Sequence, residues 1–312
     1  MKKLARFLLI YSVLILLVFL GCASPQVSTT NNPTTPITLT DQLGRTVTID
    51  KIPQRIVSLS PSDTEILFAL GLGDKVVGVT EYCDYPPEAK NIASIGGFSN
   101  PNIEQIVALS PDLILGDSIQ KDNIIPQLEA KGLTVFGIDP KNINEVLQSI
   151  TLIGDITGAK DAATNLVSQM QSQINAIVNK TKDLTNEQKP GVYYIVWHEP
   201  IMVAGSATLE DELINLAGGI NLGGNLGSYY DLSLETILEA NPDVLIISSD
   251  MGTDATLNYV LAESRLNETS ALQNNRVYGV DTNLSGRTGP RIVQGLLEFA
   301  RCIHPELFPG TD

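Results

Sequence analysis

Hydrophobic and polar positions follow two rhythms along this chain. Residues 37–49, ITLTDQLGRTVTI, alternate with period two on either side of Asp41–Arg45 and predict a β-hairpin. Short apolar runs then recur at RIVSLS (55–60), VVGVT (76–80), DLILG (112–116) and LTVFGI (133–138), and each reads as a strand. Between them lie stretches of helical period. One helix is expected to start at Ser62 or Asp63, either of which can cap it. It should run to Gly71, with Glu65 near its positive end. Another should start near Asn102. Residues 158–184 break this rhythm. Ala162, Leu166, Met170, Ile174, Ile177 and Val178 recur at helical spacing with no Pro among them, which predicts one helix of about 25 residues, roughly 37 Å long. The first rhythm then returns. GVYYIVW (191–197), DVLIIS (243–248) and RVYGVD (276–281) predict strands. TLEDELINLAGG (208–219) predicts a helix capped by Thr208 and closed at Gly218, and residues 289–308 predict a closing helix. Strands alternating with helices in this way point to an α/β fold with mostly parallel sheets.

The second half also repeats the first. NIEQIVALSPDLILG (102–116) and SLETILEANPDVLII (233–247) match at a constant offset: Glu104 with Glu235, Ile106 with Ile237, Pro111 with Pro242, Asp112 with Asp243. TEILFALGLGDKVVG (64–78) similarly resembles DELINLAGGINLGG (211–224). The expectation is two similar Rossmann-like lobes, residues 37–157 and 185–312, joined by a long rigid helix over 158–184 with a ligand cleft between the lobes. In each repeat the Pro stops the preceding helix. Asn102 and Ser233 read as N-caps, which puts each Glu at the second helical position, where the helix dipole favours it.

Charge and the N-terminus place the chain. Lys and Arg number 20 against 35 Asp and Glu, a formal net charge of −15. That argues against a nucleic-acid partner and against adsorption to anionic lipid. Met1, Lys2, Lys3 and Arg6 precede an apolar run, Phe7–Leu20, that is short for a spanning helix and stops at FLGCAS. This resembles a lipobox. The resemblance implies a signal peptide over 1–21 and a lipid on Cys22, which would tether the body to the outer face of the cytoplasmic membrane, at the cell surface or in the periplasm. Residues 22–36 then form a Ser/Thr/Asn/Pro tether. Cys83 and Cys302 are expected as unpaired thiols. With only His198 and His304, no zinc-ligand spacing occurs, so neither a metal centre nor a cofactor is expected.

Ligands of open α/β sheets bind beyond the carboxyl ends of the strands. Those ends carry Ser60, Tyr82, Asp84, Tyr85, Phe98, Trp197, His198, Glu199, Asp250, Asn283 and Arg287. All but Asp250 form the candidate ligand set. Aromatics beside hydroxyls and carboxylates suit a large, partly apolar ligand, although Phe98 and Trp197 could equally fill the lobe cores. Ser60, His198 and Asp84 could also be offered as a hydrolase triad. No G-x-S-x-G elbow accompanies them, so an enzyme is not expected.

RIVSLSPSDTEILFALG, VVGVTEYCDYPPEA, IGGFSNPNIEQIVALSPDLIL, WHEP and GPRIV, in that order, resemble the helical-backbone substrate-binding proteins of ABC importers across residues 37–312. Members carry cobalamin, ferric siderophores or haem to a membrane permease dimer with its ATPase, and this chain is expected to act as a monomer. DYPPEA (84–89) is most similar to the cobalamin-binding branch, which implies a corrinoid packed against Phe98, with a ferric siderophore or haem as the alternative. Leu284 stands where that branch carries an aromatic, and Ala217 where some members carry a disulfide cysteine. The resemblance assigns Glu104 and Glu235 to permease docking, one glutamate from each lobe.

Overall fold

The computed structural model describes residues 36–249 and 254–310. The expected signal peptide, Cys22, the tether up to residue 35, and Asp250 lie outside the described residues.

Strands β1 (Ile37–Thr40) and β2 (Thr46–Ile49) pair antiparallel as the period-two pattern requires. Asp41 fastens their turn. Its carboxylate accepts from the backbone N–H of Leu43 and Arg45, from the Arg45 guanidinium, and from the N–H of Gly137.

The first sheet follows. It comprises β3 (Ile56–Ser58), α1 (Pro61–Ala69), β4 (Val76–Val79), α2 (Ile103–Ala108), β5 (Leu113–Gly116), α3 (Ile124–Glu129) and β6 (Val135–Gly137). Its strands are parallel in the order β4-β3-β5-β6. The cap of α1 is Ser60 rather than Ser62 or Asp63. Pro61 takes the first helical position, where its fixed φ fits and its missing N–H costs nothing, so the cap falls one residue earlier.

Helix α4 (Ile143–Thr157) ends at Gly158, whose φ of 75° is left-handed. The chain turns there and enters α5 (Lys160–Thr181), 22 residues and about 33 Å long. The long helix thus begins two residues later than the sequence pattern suggests, because Gly158 closes its neighbour. Met170, Ile174 and Ile177 on its apolar stripe are buried.

The second sheet is built from β7 (Gly191–His198), β8 (Ile201–Ala204), α6 (Leu209–Leu216), β9 (Ile220–Asn221), β10 (Tyr229–Leu232), α7 (Leu234–Ala240), β11 (Val244–Ser249), α8 (Ala255–Ala262), α9 (Ser270–Gln273), β12 (Val277–Asp281), α10 (Thr282–Ser285) and α11 (Ile292–Ile303). Strands β9, β7, β11 and β12 are parallel and reproduce the order of the first sheet. Two antiparallel strands, β8 and β10, are added at the β7 side. The apolar run IMVA forms β8 right after the Glu199–Pro200 turn, an addition that the strand–helix rhythm does not announce.

The repeated segment has a structural cause. Ser110 and Asn241 close the two equivalent helices with left-handed φ of 48° and 45°. The Pro then blocks further helix, and the Asp after it clamps the neighbouring strand at its start. Asp112 accepts from the N–H of Gln54 and Arg55 ahead of β3, and Asp243 accepts from the N–H of Gly191 in β7.

Alternation within the strands feeds three apolar clusters. Ile56, Leu113 and Leu115 of the first sheet and Val192, Tyr194, Val244 and Ile246 of the second face one continuous core. It includes Ile150 of α4, Met170 and Ile174 of α5 and Phe299 of α11. Tyr194 stacks on Phe299 with ring centroids 5.6 Å apart. Val57 and Ile114 face a separate cluster beneath α2 and α3, and Tyr193, Ile195, Leu245 and Ile247 face another beneath α7 and α8. The sheets are therefore joined through packed helices and a shared core, which resists bending far better than a loop hinge. Cys83 and Cys302 are buried and unpaired.

Candidate functional site

The carboxyl ends of both sheets frame one cleft of about 780 Å³. Its first-lobe wall comes from the residues after β3 (Ser60–Ser62), β4 (Tyr82), β5 (Asp117–Ile119) and β6 (Asp139–Lys141), with Phe98 and Ser99 from the loop before α2. Its second-lobe wall comes from α10 (Thr282, Asn283) and the following loop, Gly286–Thr288.

Of the ten candidate residues, Ser60, Tyr82, Phe98, Asn283 and Arg287 line this cleft. The other five lie elsewhere. Asp84 accepts from Arg287. Tyr85 lies under the Arg291 guanidinium, 4.0 Å from its ring centroid, and lines a separate cavity of about 540 Å³ with Leu166 and Met170 of α5. Trp197 is 45% exposed at the end of β7, and its indole N–H donates to the Glu199 carbonyl (3.2 Å). The His198 ring meets those of Trp197 (4.6 Å) and Tyr259 (5.2 Å), and its Nδ1 bonds the Thr256 hydroxyl (3.0 Å). Ser60, His198 and Asp84 are thus engaged with three different partners, Ser62 N–H, Thr256 and Arg287, and form no relay among themselves.

Several cleft residues were missed by sequence reasoning. Asp139, Pro140 and Lys141 follow β6, so the rule of strand ends could have found them. Glu65 and Arg291, which line the Tyr85 cavity and not the cleft itself, had no such signal, because their contact spans more than two hundred residues of chain.

Electrostatics set the character of the cleft. Arg287 Nη1 donates to Asp84 Oδ1 (2.7 Å) and Glu65 Oε1 (3.1 Å), and its Nη2 donates to the Tyr82 carbonyl (3.3 Å). Arg291 adds two bonds to Glu65 (2.9 and 2.6 Å). Glu65, only 3% exposed, therefore anchors two arginines of the other lobe. Lys141 pairs with Asp139 at 2.6 Å. Burial pushes the Asp117 carboxyl up. Behind it, burial above all, then Asp117 and Asp139, push Asp63 well above the usual carboxylate range. Asp63 is 1% exposed, and its Oδ2 has no hydrogen-bond partner among the described residues.

This last group has a pH signature. Folding holds the Asp63 proton more tightly than the unfolded chain does. Ionisation therefore adds no cost to its burial below about pH 4, and that added cost grows as pH rises through the elevated titration range. Asp63→Asn is expected to stabilise the fold by about 1–3 kcal/mol at pH 8 and by nearly nothing at pH 4. Urea denaturation of both proteins at the two pH values checks this, and a gain independent of pH would contradict it.

Glu104 and Glu235 are both exposed, each at the second position of its helix. Asn102 caps α2 through the Gln105 N–H, and Ser233 caps α7 through the Thr236 N–H. Arg265 approaches Glu235 to 3.9 Å.

Comparison with known proteins agrees with this architecture. The family model described as periplasmic binding protein matches residues 56–284. The chain is 36% identical over 278 residues to the uncharacterized ABC transporter substrate-binding lipoprotein YvrC of Bacillus subtilis, covering 88% of this chain and 87% of that one. It is 32% identical over 278 residues to a cobalamin-binding protein of Halobacterium salinarum, covering 86% and 74%. Among solved structures, the periplasmic heme-binding protein RhuT from Roseiflexus sp. RS-1 in apo form superposes with a TM-score of 0.71 at 29% identity, covering 81% of this chain and 99% of that one. Two sheets that share one order of parallel strands, a helical connection and a cleft at their carboxyl ends have the same meaning as these matches: the chain belongs to the periplasmic binding protein family and is an extracytoplasmic substrate-binding protein of an ABC importer, not an enzyme.

Proposed function

We propose that this chain captures a corrinoid of the vitamin B12 type in the cleft between its lobes and delivers it to an importer permease. A lipid on Cys22 holds it at the outer face of the cytoplasmic membrane as a monomer, and Glu104 and Glu235 meet basic residues on the two permease subunits. The observation that carries the ligand class is the charge of the cleft. Both cations that line it, Lys141 and Arg287, are paired with carboxylates. What remains is the aromatic surface of Tyr82 and Phe98, hydroxyls, amides and the acid of Asp117. Such a wall suits a bulky, neutral ligand edged with amides better than the carboxylates of haem or an anionic iron chelate. The relative named as cobalamin-binding supports this reading. The solved heme-binding neighbour keeps the alternative specific.

Calorimetric titration of the purified full chain with cyanocobalamin, hemin and a ferric siderophore decides between them. Saturable one-to-one binding of cyanocobalamin alone is expected. Binding of hemin or the siderophore without the corrinoid overturns the ligand while keeping the receptor.

A further inference from the structure

We infer that Asp84 and Glu65 set the ligand charge that the cleft accepts, by cancelling Arg287 from across the lobe boundary. Within the family reading above, this names the residues that exclude anionic ligands, and it does not depend on which neutral ligand is carried.

Arg287 is the only arginine lining the cleft among the described residues. It belongs to the second lobe, yet every acceptor it holds belongs to the first: the carboxylates of Glu65 and Asp84 and the carbonyl of Tyr82. Arg291 shares Glu65, so two guanidinium groups meet two carboxylates and the cluster is neutral as a whole. Both N–H bonds of Arg287 Nη1 are spent within it. The opposite wall adds no attraction for an anion, because Lys141 is held by Asp139, and Asp117 makes no ion pair among the described residues. An anionic group entering the cleft thus finds no unpaired cation and meets one more carboxylate.

The two carboxylates differ in what they do besides. Glu65 is nearly inaccessible and carries both arginines, so it also supports the lobe contact. The Asp84 side chain is 32% exposed and makes one bond, to Arg287. Removing the charge of Asp84 weakens the hold on an Nη1 proton beside the cleft and leaves the cluster with an excess positive charge. In the open cleft, that charge acts on a ligand a few ångströms away at low ionic strength and is screened as salt is added.

The test uses full-length wild type, Asp84→Asn and Glu65→Gln, titrated with cyanocobalamin as a neutral probe and a ferric tris-catecholate trianion as an anionic one. Asp84→Asn is expected to bind the trianion about tenfold more tightly than wild type at about 50 mM salt, and the gain should shrink toward nothing near 1 M salt. Glu65→Gln supplies the same comparison should Asp84→Asn fail to fold. No gain in either folded variant overturns the inference, and so does a gain that salt leaves untouched, which would mean a wider cleft rather than a charge effect. Tight trianion binding by wild type overturns it as well. Failure of wild type to bind cyanocobalamin refutes the corrinoid alone, and the response of the variants to the trianion still decides the charge inference.

Discussion

Glu65→Ala is expected to lower the unfolding free energy by about 3–5 kcal/mol, among the largest single costs available outside the apolar core. The side chain is buried and holds Arg287 with one bond and Arg291 with two. Without it the two guanidinium groups stay inside the lobe boundary, where their side chains are only 12% and 15% exposed, with Asp84 as the one remaining carboxylate. The cost arises from these stranded charges more than from the lost attraction, since a buried ion pair gains little net energy over apolar packing. A second variant isolates that cause. Adding Arg291→Met to Glu65→Ala removes one of the stranded charges and should recover part of the loss, whereas two independent sites would add. Urea midpoints of the wild type, both single variants and the double variant measure the coupling. A Glu65→Ala loss below about 1 kcal/mol would show that water already reaches the cluster and that it is no structural tie.

The parts of this molecule differ in how far the sequence announces them, and the difference follows the range of the interactions. The hairpin, the strands and the long helix were legible because burial on one face imposes period two or period 3.6 on nearby residues. Thr208 and Asn102 were legible as caps because a cap bonds within three residues of itself. Ser60 was displaced by a still more local fact, the proline after it. The lobe repeat was legible as Pro-Asp, but the reason for its Asp was not, since the clamp acts on a strand start some fifty residues earlier. Strands β8 and β10 escaped notice because four residues carry too little periodicity, and their place is fixed by pairing with β7 and with each other. The cleft follows the same rule. Tyr82, Phe98 and Asn283 follow from strand ends, while Glu65 appears in the sequence as an ordinary residue of the first turns of α1. Its partners stand on a helix start and a loop of the other lobe, and no local pattern brings a residue and its partner together across that distance. Trp197 shows the converse. A lone tryptophan at a strand end attracts attention in the sequence, yet in the fold it leans on His198 at the end of β7 and does not line the cavity.

Reversing both exposed glutamates, with Glu104→Arg and Glu235→Arg together, is expected to reduce permease-dependent uptake by more than about a hundredfold and to leave ligand affinity in solution unaltered. Each glutamate stands on the second residue of a short helix whose first turn already points free N–H groups outward. The Glu235 carboxyl lies below its usual range because its own helix N–H and Ser233 bond it, with Arg265 adding a smaller effect. An exposed glutamate at the second position of a capped helix, repeated once per lobe, offers a pair of anionic posts to a partner of matching basic sites. Opposing like charges at such a contact costs several kcal/mol at each post, which sets the expected size of the loss. Neither residue lines the cleft, so cyanocobalamin titration of the double variant serves as the internal control. The competing explanation is that the glutamates serve only the helix dipole. It predicts a different result: destabilisation of about 0.3–1 kcal/mol per helix and normal uptake by the folded variant. Uptake into proteoliposomes holding the permease and its ATPase separates the two, with each single reversal expected to give an intermediate loss. An uptake defect matched by an equal loss of ligand affinity would point to a damaged cleft and would defeat the docking assignment.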